Sequence, residues 1–254
     1  MTSSLRSGLS VSICTLICLC GASIGQADTV APSIVIEAAN ASGGGQYVFT
    51  PDDASYYSDT RVWEWELTEP LQIRDPMTQS LVATVESASY LLVDSAQVNL
   101  SFSVAAGSTD TLFQITSALM PVDPPISPAQ GAASAAFTVT DFDGDGATLT
   151  GSAGAGGDKA YLAHYNGFVP AGTAFAELIS DVTATAWATG DSFENFPAVG
   201  YAPIADPVTD ISAMVSFELS ANDLASGTTD FVIVPEASSL ALLALGAIGL
   251  LRRR

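Results

Sequence analysis

The chain has 254 residues, with 27 acidic side chains against 7 basic ones and a formal net charge of −20 at pH 7. Between residues 28 and 234 the only basic side chains are Arg61, Arg74 and Lys159. So acidic a surface excludes nucleic-acid binding, because almost nothing could neutralise phosphates. A divalent cation would relieve the self-repulsion.

The first 27 residues have the three parts of a secretory signal peptide. Arg6 supplies the positive charge, residues 9–19 form the apolar stretch, and the small residues around Gln26 make a cleavage site after Ala27. The only cysteines lie in this segment, at Cys14, Cys18 and Cys20. The exported chain therefore has no disulfide, and its own core or metal ions must hold it together.

The segment 28–233 is long enough for one large β domain or two small ones. Its first β-rich stretches predict strands at residues 33–37, 46–50 and 61–67. In the third, alternation places Trp63 and Trp65 on one face and two glutamates on the other.

Three interpretations of this strand remain open. It buries both tryptophans and exposes its glutamates, or Trp63 and Trp65 form a carbohydrate-stacking face, or Glu64 and Glu66 act as an acid/base pair. The third is unfavourable, because glycosidase carboxylates flank the scissile bond across a cleft rather than following one another on a strand.

The clearest strand pattern covers residues 97–105, where apolar and polar side chains alternate. A second strand at 111–116 follows after a short turn, which predicts a β-hairpin. Residues 121–128 contain four prolines and predict a stiff extended connector, either between two domains or between two sheets. We favour one domain, because the composition does not change across the connector.

A strand at 135–142 leads into three aspartates at alternate positions, Asp141, Asp143 and Asp145, followed by Gly146. This spacing matches the start of a calcium loop, where oxygen ligands converge and a glycine allows a sharp turn. The twelfth position is Ser152 rather than glutamate, and no helices flank the loop, which argues against an EF-hand. The alternatives are an irregular calcium site between strands and an acidic hairpin turn that binds nothing specifically.

No catalytic constellation can be assembled from the sequence. The single histidine, His164, predicts a packed or surface residue, since a lone histidine without cysteines does not build a usual zinc site. No serine lies in a Gly-x-Ser-x-Gly elbow. We therefore expect no enzymatic activity; a secreted hydrolase would have no motif behind it.

The remaining segments complete an all-β pattern. Residues 173–182 predict a strand or a short helix, and strands are expected at 183–188 around Trp187, at 211–220 and at 231–234. Many short strands with turns between them predict an antiparallel β-sandwich or jelly-roll-like domain over 28–233.

The last 21 residues, 234–254, have three distinct parts: Val234-Pro235-Glu236, an apolar run at 238–251, and a terminal cluster of Arg252, Arg253 and Arg254. The apolar run predicts a short membrane helix. Its core, 240–251, would rise about 18 Å against a hydrocarbon thickness of roughly 30 Å, so the span is marginal. The arginines should stay on the cytoplasmic side, leaving the preceding domain outside.

This order of parts resembles the C-terminal tail of the bacterial PEP-CTERM family, whose usual second proline is replaced here by Ala237. The resemblance implies recognition and processing by a membrane enzyme, exosortase. It further implies export by a Gram-negative bacterium, transient anchoring in the inner membrane, and a final place at the cell surface or in the extracellular matrix. The alternative is an ordinary C-terminal membrane anchor.

These observations predict a non-enzymatic surface or exopolysaccharide-matrix protein with a structural or adhesive ectodomain. The partners expected are exosortase and an exopolysaccharide. The main rival is a calcium-dependent carbohydrate-binding module anchored at the envelope, using Trp63 and Trp65 with Asp141, Asp143 and Asp145.

Overall fold

The computed structural model describes residues 33–94 and 96–236. The described chain forms these strands in order: β1 (Ile34–Asn40), β2 (Gly43–Phe49), β3 (Ser55–Tyr57), β4 (Val62–Glu66), β5 (Leu71–Arg74), β6 (Leu81–Val93), β7 (Gln97–Ala106), β8 (Thr111–Thr116), β9 (Met120–Ile126), β10 (Ala129–Thr140), β11 (Ala147–Gly151), β12 (Tyr161–Tyr165), β13 (Thr173–Leu178), β14 (Asp181–Ala184), β15 (Thr189–Phe196), β16 (Ala202–Ile204), β17 (Val208–Leu219) and β18 (Leu224–Pro235).

The one helical element in these residues is a short 3₁₀ turn at Pro51–Asp53. Within the same ranges, no helix has the length and apolar character needed to cross a membrane. The predicted signal peptide, 1–27, and the predicted membrane helix, 238–251, lie outside the described residues.

The strands form two antiparallel sheets, which confirms the prediction of an all-β antiparallel domain. Sheet A has the order β13-β12-β17-β8-β1-β2, with β9 and β11 also paired with β17 and β14 paired with β11. Sheet B has the order β15-β10-β18-β7-β6-β4-β3, with β16 beside β10 and β5 beside β6.

The two sheets pack face to face on an aromatic core. Phe217 of sheet A stacks on Phe102 of sheet B, with 5.8 Å between ring centroids. Phe113, the cross-strand neighbour of Phe217 in sheet A, lies 5.6 Å from it. Gly227 on β18 makes this packing possible, because a methyl group there would overlap the ring of Phe137. Alternation along β7 and β10 buries every second side chain on this inner face.

Several predicted strands are confirmed, including those at 61–67, 97–105 and 211–220, but the predicted hairpin between 97–105 and 111–116 is wrong. β7 pairs with β6 and β18, whereas β8 pairs with β1 and β17 in the other sheet. The intervening turn crosses from sheet B to sheet A. Short-range alternation specifies that two strands exist, but their partners are set by which inner faces meet.

Two connecting segments differ from the form that the sequence predicts. The proline-rich segment 121–128 is extended and crosses between sheets, but most of it is β9, which pairs with β17. The aspartate-rich segment after β10 is not a hairpin turn, because β10 lies in sheet B and β11 in sheet A.

The strand expected at 183–188 ends early, since β14 stops at Ala184 and Trp187 lies in a turn with φ of 60°.

The ladder between β10 and β18 defines two opposite ends of the domain. Thr140 pairs with Leu224 at one end of the β10–β18 ladder, and Ala129 pairs with Pro235 at the other. A strand of this length spans about 35–40 Å. The aspartate-rich loop after β10 therefore lies at one end of sheet B, and the chain leaves towards its tail at the opposite end.

Candidate functional site

Three carboxylates converge at the end of the domain opposite to Pro235. Asp141 and Asp143 lie in the β10–β11 loop and Asp223 in the β17–β18 loop, and one oxygen of each lies within 4.8 Å of the others. Asp141 is 3% exposed and Asp223 is fully buried, while Asp143 faces solvent. Among the described residues, this is the one group of three or more acidic, histidine or cysteine side chains close enough to share an ion.

Hydrogen bonds from three loops fix the two buried carboxylates. Asp141 accepts the Gly144 N–H at 3.0 Å through Oδ1 and the Trp187 N–H through Oδ2. Asp223 accepts the Ser220 hydroxyl and, at 3.4 Å, the Phe142 N–H. Asp141 thus joins its own loop to the turn before β15.

The exposed carboxylate is tied to the same loops. Asn222 Nδ2 donates to Asp143 Oδ2 at 3.0 Å, and the Asp145 N–H approaches Asp143 Oδ1 at 3.4 Å. The β10–β11 and β17–β18 loops are therefore connected through side chains as well as through the pairing of β10 with β18. This connection holds the carboxylate oxygens of Asp141, Asp143 and Asp223 close together.

The pKa values of these aspartates diverge. Burial by itself would raise the pKa of Asp141, but the backbone N–H donors, led by that of Trp187, outweigh it and hold the pKa below its usual value. Burial raises the pKa of Asp223, with the charges of Asp141 and Asp143 adding to it. A hydrogen bond to Asp143, and then the negative charge of Asp143, raise the pKa of Asp145.

Sequence spacing had selected Asp141, Asp143 and Asp145, and the structure groups the first two with Asp223 instead. Asp223 stands some 80 positions away along the chain, and its local sequence has no motif that links it to the loop. The pairing of β10 with β18 brings it there. Hard cations such as calcium prefer oxygen ligands of this kind, so the metal assignment stays a prediction, now with a revised ligand set.

Two exposed aromatic side chains lie beside the carboxylates. Trp187 is 71% exposed and Phe142 is 56% exposed. Trp187 has a left-handed backbone conformation, which a bulky residue rarely adopts, and its N–H is bound by Asp141. Its indole covers Gly144, where a methyl group would overlap the ring. The sequence pattern predicts a strand around Trp187 and does not indicate that this side chain is exposed beside the carboxylates.

The tryptophans of β4 have different surroundings. Trp65 is 1% exposed and donates through Nε1 to the Thr50 carbonyl at 2.8 Å, so it belongs to the core and has no face free for a sugar. Trp63 is half-buried, between Trp65 at 6.1 Å and Tyr56 at 4.4 Å between ring centroids. Beside Trp63, the side chains of Tyr56 and Tyr57 on β3 are 45% and 47% exposed.

His164 lies away from the carboxylates, on β12. It is 3% exposed, and neither ring nitrogen has a hydrogen-bond partner among the described residues. Burial lowers its pKa, because the charged form would lose its hydration. Of the two alternatives predicted from the sequence, a packed residue and a surface residue, His164 is the packed one.

The first residues of the tail are part of the fold. Val234 and Pro235 are the last residues of β18, opposite Gln130 and Ala129 of β10. The N–H of Glu236 donates to the Pro128 carbonyl at 2.9 Å. Pro235 and Glu236 have exposed side chains, whereas Ile233 just before them is buried in the core.

The arrangement around Asp141 predicts a pH-dependent stability difference. Asp141→Ala should lower the melting temperature at pH 7 by several degrees, because the N–H groups of Gly144 and Trp187 lose a charged acceptor. Since the folded-state pKa of Asp141 lies below the ordinary value of 3.8, its stabilisation is fully present above that value and is lost as the pH falls further, through the lowered folded-state pKa.

Asp145→Ala is the matched control, because Asp145 lies in the same loop but its pKa is raised. Its removal should leave the melting temperature at pH 7 unchanged or slightly higher. Thermal unfolding from pH 7 to pH 3 should show the two variants converging. Equal losses at pH 7 would contradict the role given to Asp141.

A comparison with curated proteins finds none that matches the chain. A family model described as the PEP-CTERM protein-sorting motif matches residues 234–254. The motif begins with the Val234-Pro235-Glu236 segment at the end of β18 and extends to the arginine cluster. It confirms the resemblance predicted from the tail and indicates an exported protein that exosortase processes at the membrane. The chain therefore carries a PEP-CTERM sorting motif at the end of an antiparallel all-β domain.

Proposed function

We propose that this protein is a non-enzymatic component of the cell surface or exopolysaccharide matrix, with a structural or adhesive β-sandwich. The observation that carries the proposal is the sorting motif that continues directly from the last strand of the domain. The tail holds the newly exported chain in the inner membrane until exosortase processes it. The folded domain then passes to the surface or the matrix.

The polarity of the sandwich supports this role. The tail leaves at one end of β18, and the carboxylates with their exposed aromatic neighbours lie about 35–40 Å away at the other. While the tail is in the membrane, that distal end faces outwards. An acidic domain without cysteines also remains soluble outside the cell and needs no oxidative folding.

Intact-mass spectrometry of the native protein tests the proposed route. The mature chain should lack residues 1–27 and the segment after about Glu236. In a host without exosortase, the same chain should lose the signal peptide but keep the arginine cluster. A native mature protein that retains residues 237–254 would contradict processing and would favour a permanent membrane anchor.

We further propose that a calcium ion binds at Asp141, Asp143 and Asp223 and stabilises the distal end of the sandwich. The supporting observation is the proximity of three carboxylates, two of them buried, in a domain with almost no basic side chains. A cation there would offset their repulsion and join the β10–β11 loop to the β17–β18 loop. Exposed Asp143 would leave part of the ion open to solvent or to a ligand.

Thermal unfolding with added calcium tests this site. At a calcium concentration 100-fold above the dissociation constant, binding should stabilise the domain by about 2.7 kcal/mol. Asp143→Asn and Asp223→Asn should each remove most of that gain, because each takes away one anionic ligand.

Asp145→Asn serves as the control and should keep the gain, since its carboxylate is outside the group. If Asp145→Asn removes the gain and Asp223→Asn does not, the ligand set predicted from spacing is the right one. No gain in the unaltered protein would argue against a calcium site.

A second candidate function is calcium-dependent carbohydrate binding. It is favoured by the display of Trp187 and Phe142 beside the carboxylates, because sugar rings stack their apolar faces on exposed aromatic rings while hydroxyls bind cations and carboxylates. The acidic surroundings favour a neutral glycan over an anionic one. We place this candidate site at Trp187 rather than at the β4 tryptophans, because Trp65 is buried.

Retention on immobilised exopolysaccharide, measured with calcium and with a chelator, tests the second candidate. Trp187→Ala should lower the affinity roughly tenfold, which corresponds to about 1.4 kcal/mol. Trp63→Ala is the comparison variant and should bind as the unaltered protein does. Loss of retention with Trp63→Ala alone would place the carbohydrate site on β4. Equal retention of all three proteins, with and without calcium, would exclude calcium-dependent carbohydrate binding at either place.

A further inference from the structure

The sorting motif and the folded domain overlap in the chain. The motif starts at Val234, while β18 continues to Pro235 and its pairing extends to Glu236 through the bond to the Pro128 carbonyl. No linker separates the last core residue, Ile233, from the first motif residue. A processing enzyme therefore meets a motif whose first three residues are held in a sheet.

This end of β18 is held on one side and open on the other. Towards β7, ladder pairing ends at Val232, with one more bond from the Ile233 N–H to the Ala96 carbonyl. Towards β10, pairing continues to the last residue of the strand. The end of β18 can therefore separate from β10 without disturbing β7.

We infer that the fold regulates processing: exosortase gains access to the Val234–Glu236 backbone only when the end of β18 separates from β10. This inference rests on the proposed function, because it concerns how the same tail is processed. It assigns a further role to Pro128 and to the first two residues of β10, which act as a cover over the motif backbone. Access to the motif is the step that the cover controls.

The physical basis is competition for backbone hydrogen bonds. An enzyme that acts on a peptide backbone must surround it, and the β10 side of residues 234–236 is already occupied. Local opening at the end of a strand costs far less than global unfolding. Each such hydrogen bond changes the equilibrium between the paired and the open strand end by about 2- to 10-fold. The need to break these bonds therefore slows access of the enzyme measurably without blocking it.

The cover also links processing to folding state. Before β18 has paired with β10, the motif is open, so an unfolded chain presents it fully. After folding, access depends on opening of the strand end alone. The relative rates of folding and processing therefore decide whether exosortase receives an open tail or a covered one.

The experiment follows the full-length chain by pulse–chase in a host that expresses exosortase. One variant carries Gly-Ser-Gly-Ser between Ile233 and Val234, so that linker residues take the places opposite Gln130 and Ala129 and the motif starts outside the sheet. The control carries the same insertion between Gly156 and Gly157, in an exposed loop of sheet A where side chains have open space at Gly157.

A second variant, Gln130→Pro, loosens the cover without changing the chain length or the motif. Gln130 pairs with Val234, and proline there removes a backbone donor. Resistance of the sandwich to protease identifies variants that keep the fold. Among those, the linker variant and Gln130→Pro should be processed about tenfold faster than the unaltered chain, and the loop control at the unaltered rate.

Equal or slower processing of both variants would overturn the inference while leaving the proposed function intact. Processing of the linker variant alone, with the unaltered chain unprocessed, would support a tight cover. If none of the chains is processed, the proposed function fails and this inference fails with it. A faster loop control would attribute the effect to general loosening of the sandwich and would also overturn the inference.

Discussion

The pairing of β18 with β10 organises the core, the carboxylate group and the start of the sorting motif. All residues of β18 pair with β10, and those from Leu224 to Val232 pair with β7 as well. The same ladder places Gly227 beneath the rings of the core. It brings Asp223 to the loop that follows β10, and it holds the first residues of the sorting motif at the opposite end.

Charge is the second constraint. The exported domain has almost no basic side chains, yet two aspartates at its distal end are buried beside a third carboxylate. Backbone N–H groups compensate Asp141, whose pKa is lowered, while burial leaves the pKa of Asp223 raised. The free-energy cost of burying a negative charge therefore falls mainly on Asp223, and a bound cation would remove that cost. This asymmetry connects the electrostatics of the domain to a specific place on its surface.

Sequence patterns predicted strands well and partners poorly. The alternation in 97–105 and 211–220 is a local property, because the side-chain period of a strand is two. The hairpin expected after 97–105 failed, since β7 and β8 belong to different sheets. At the candidate site, spacing predicts a group of Asp141, Asp143 and Asp145, whereas the fold places Asp223 beside Asp141 and Asp143. The local pattern predicts a strand around Trp187, but its backbone N–H is bound by Asp141, 46 positions away, and this contact cannot be read from the sequence.

The class of fold and the sorting tail can both be read from the amino-acid sequence alone. Both depend on short-range order: alternation makes a strand, and an apolar run between Val234-Pro235-Glu236 and an arginine cluster is recognised as a linear signal. Only the tertiary structure decided which carboxylates meet, which tryptophan faces solvent, and that the motif begins inside a sheet. These depend on strand pairing between residues far apart in the chain, and such pairing is set by the packing of the two inner faces.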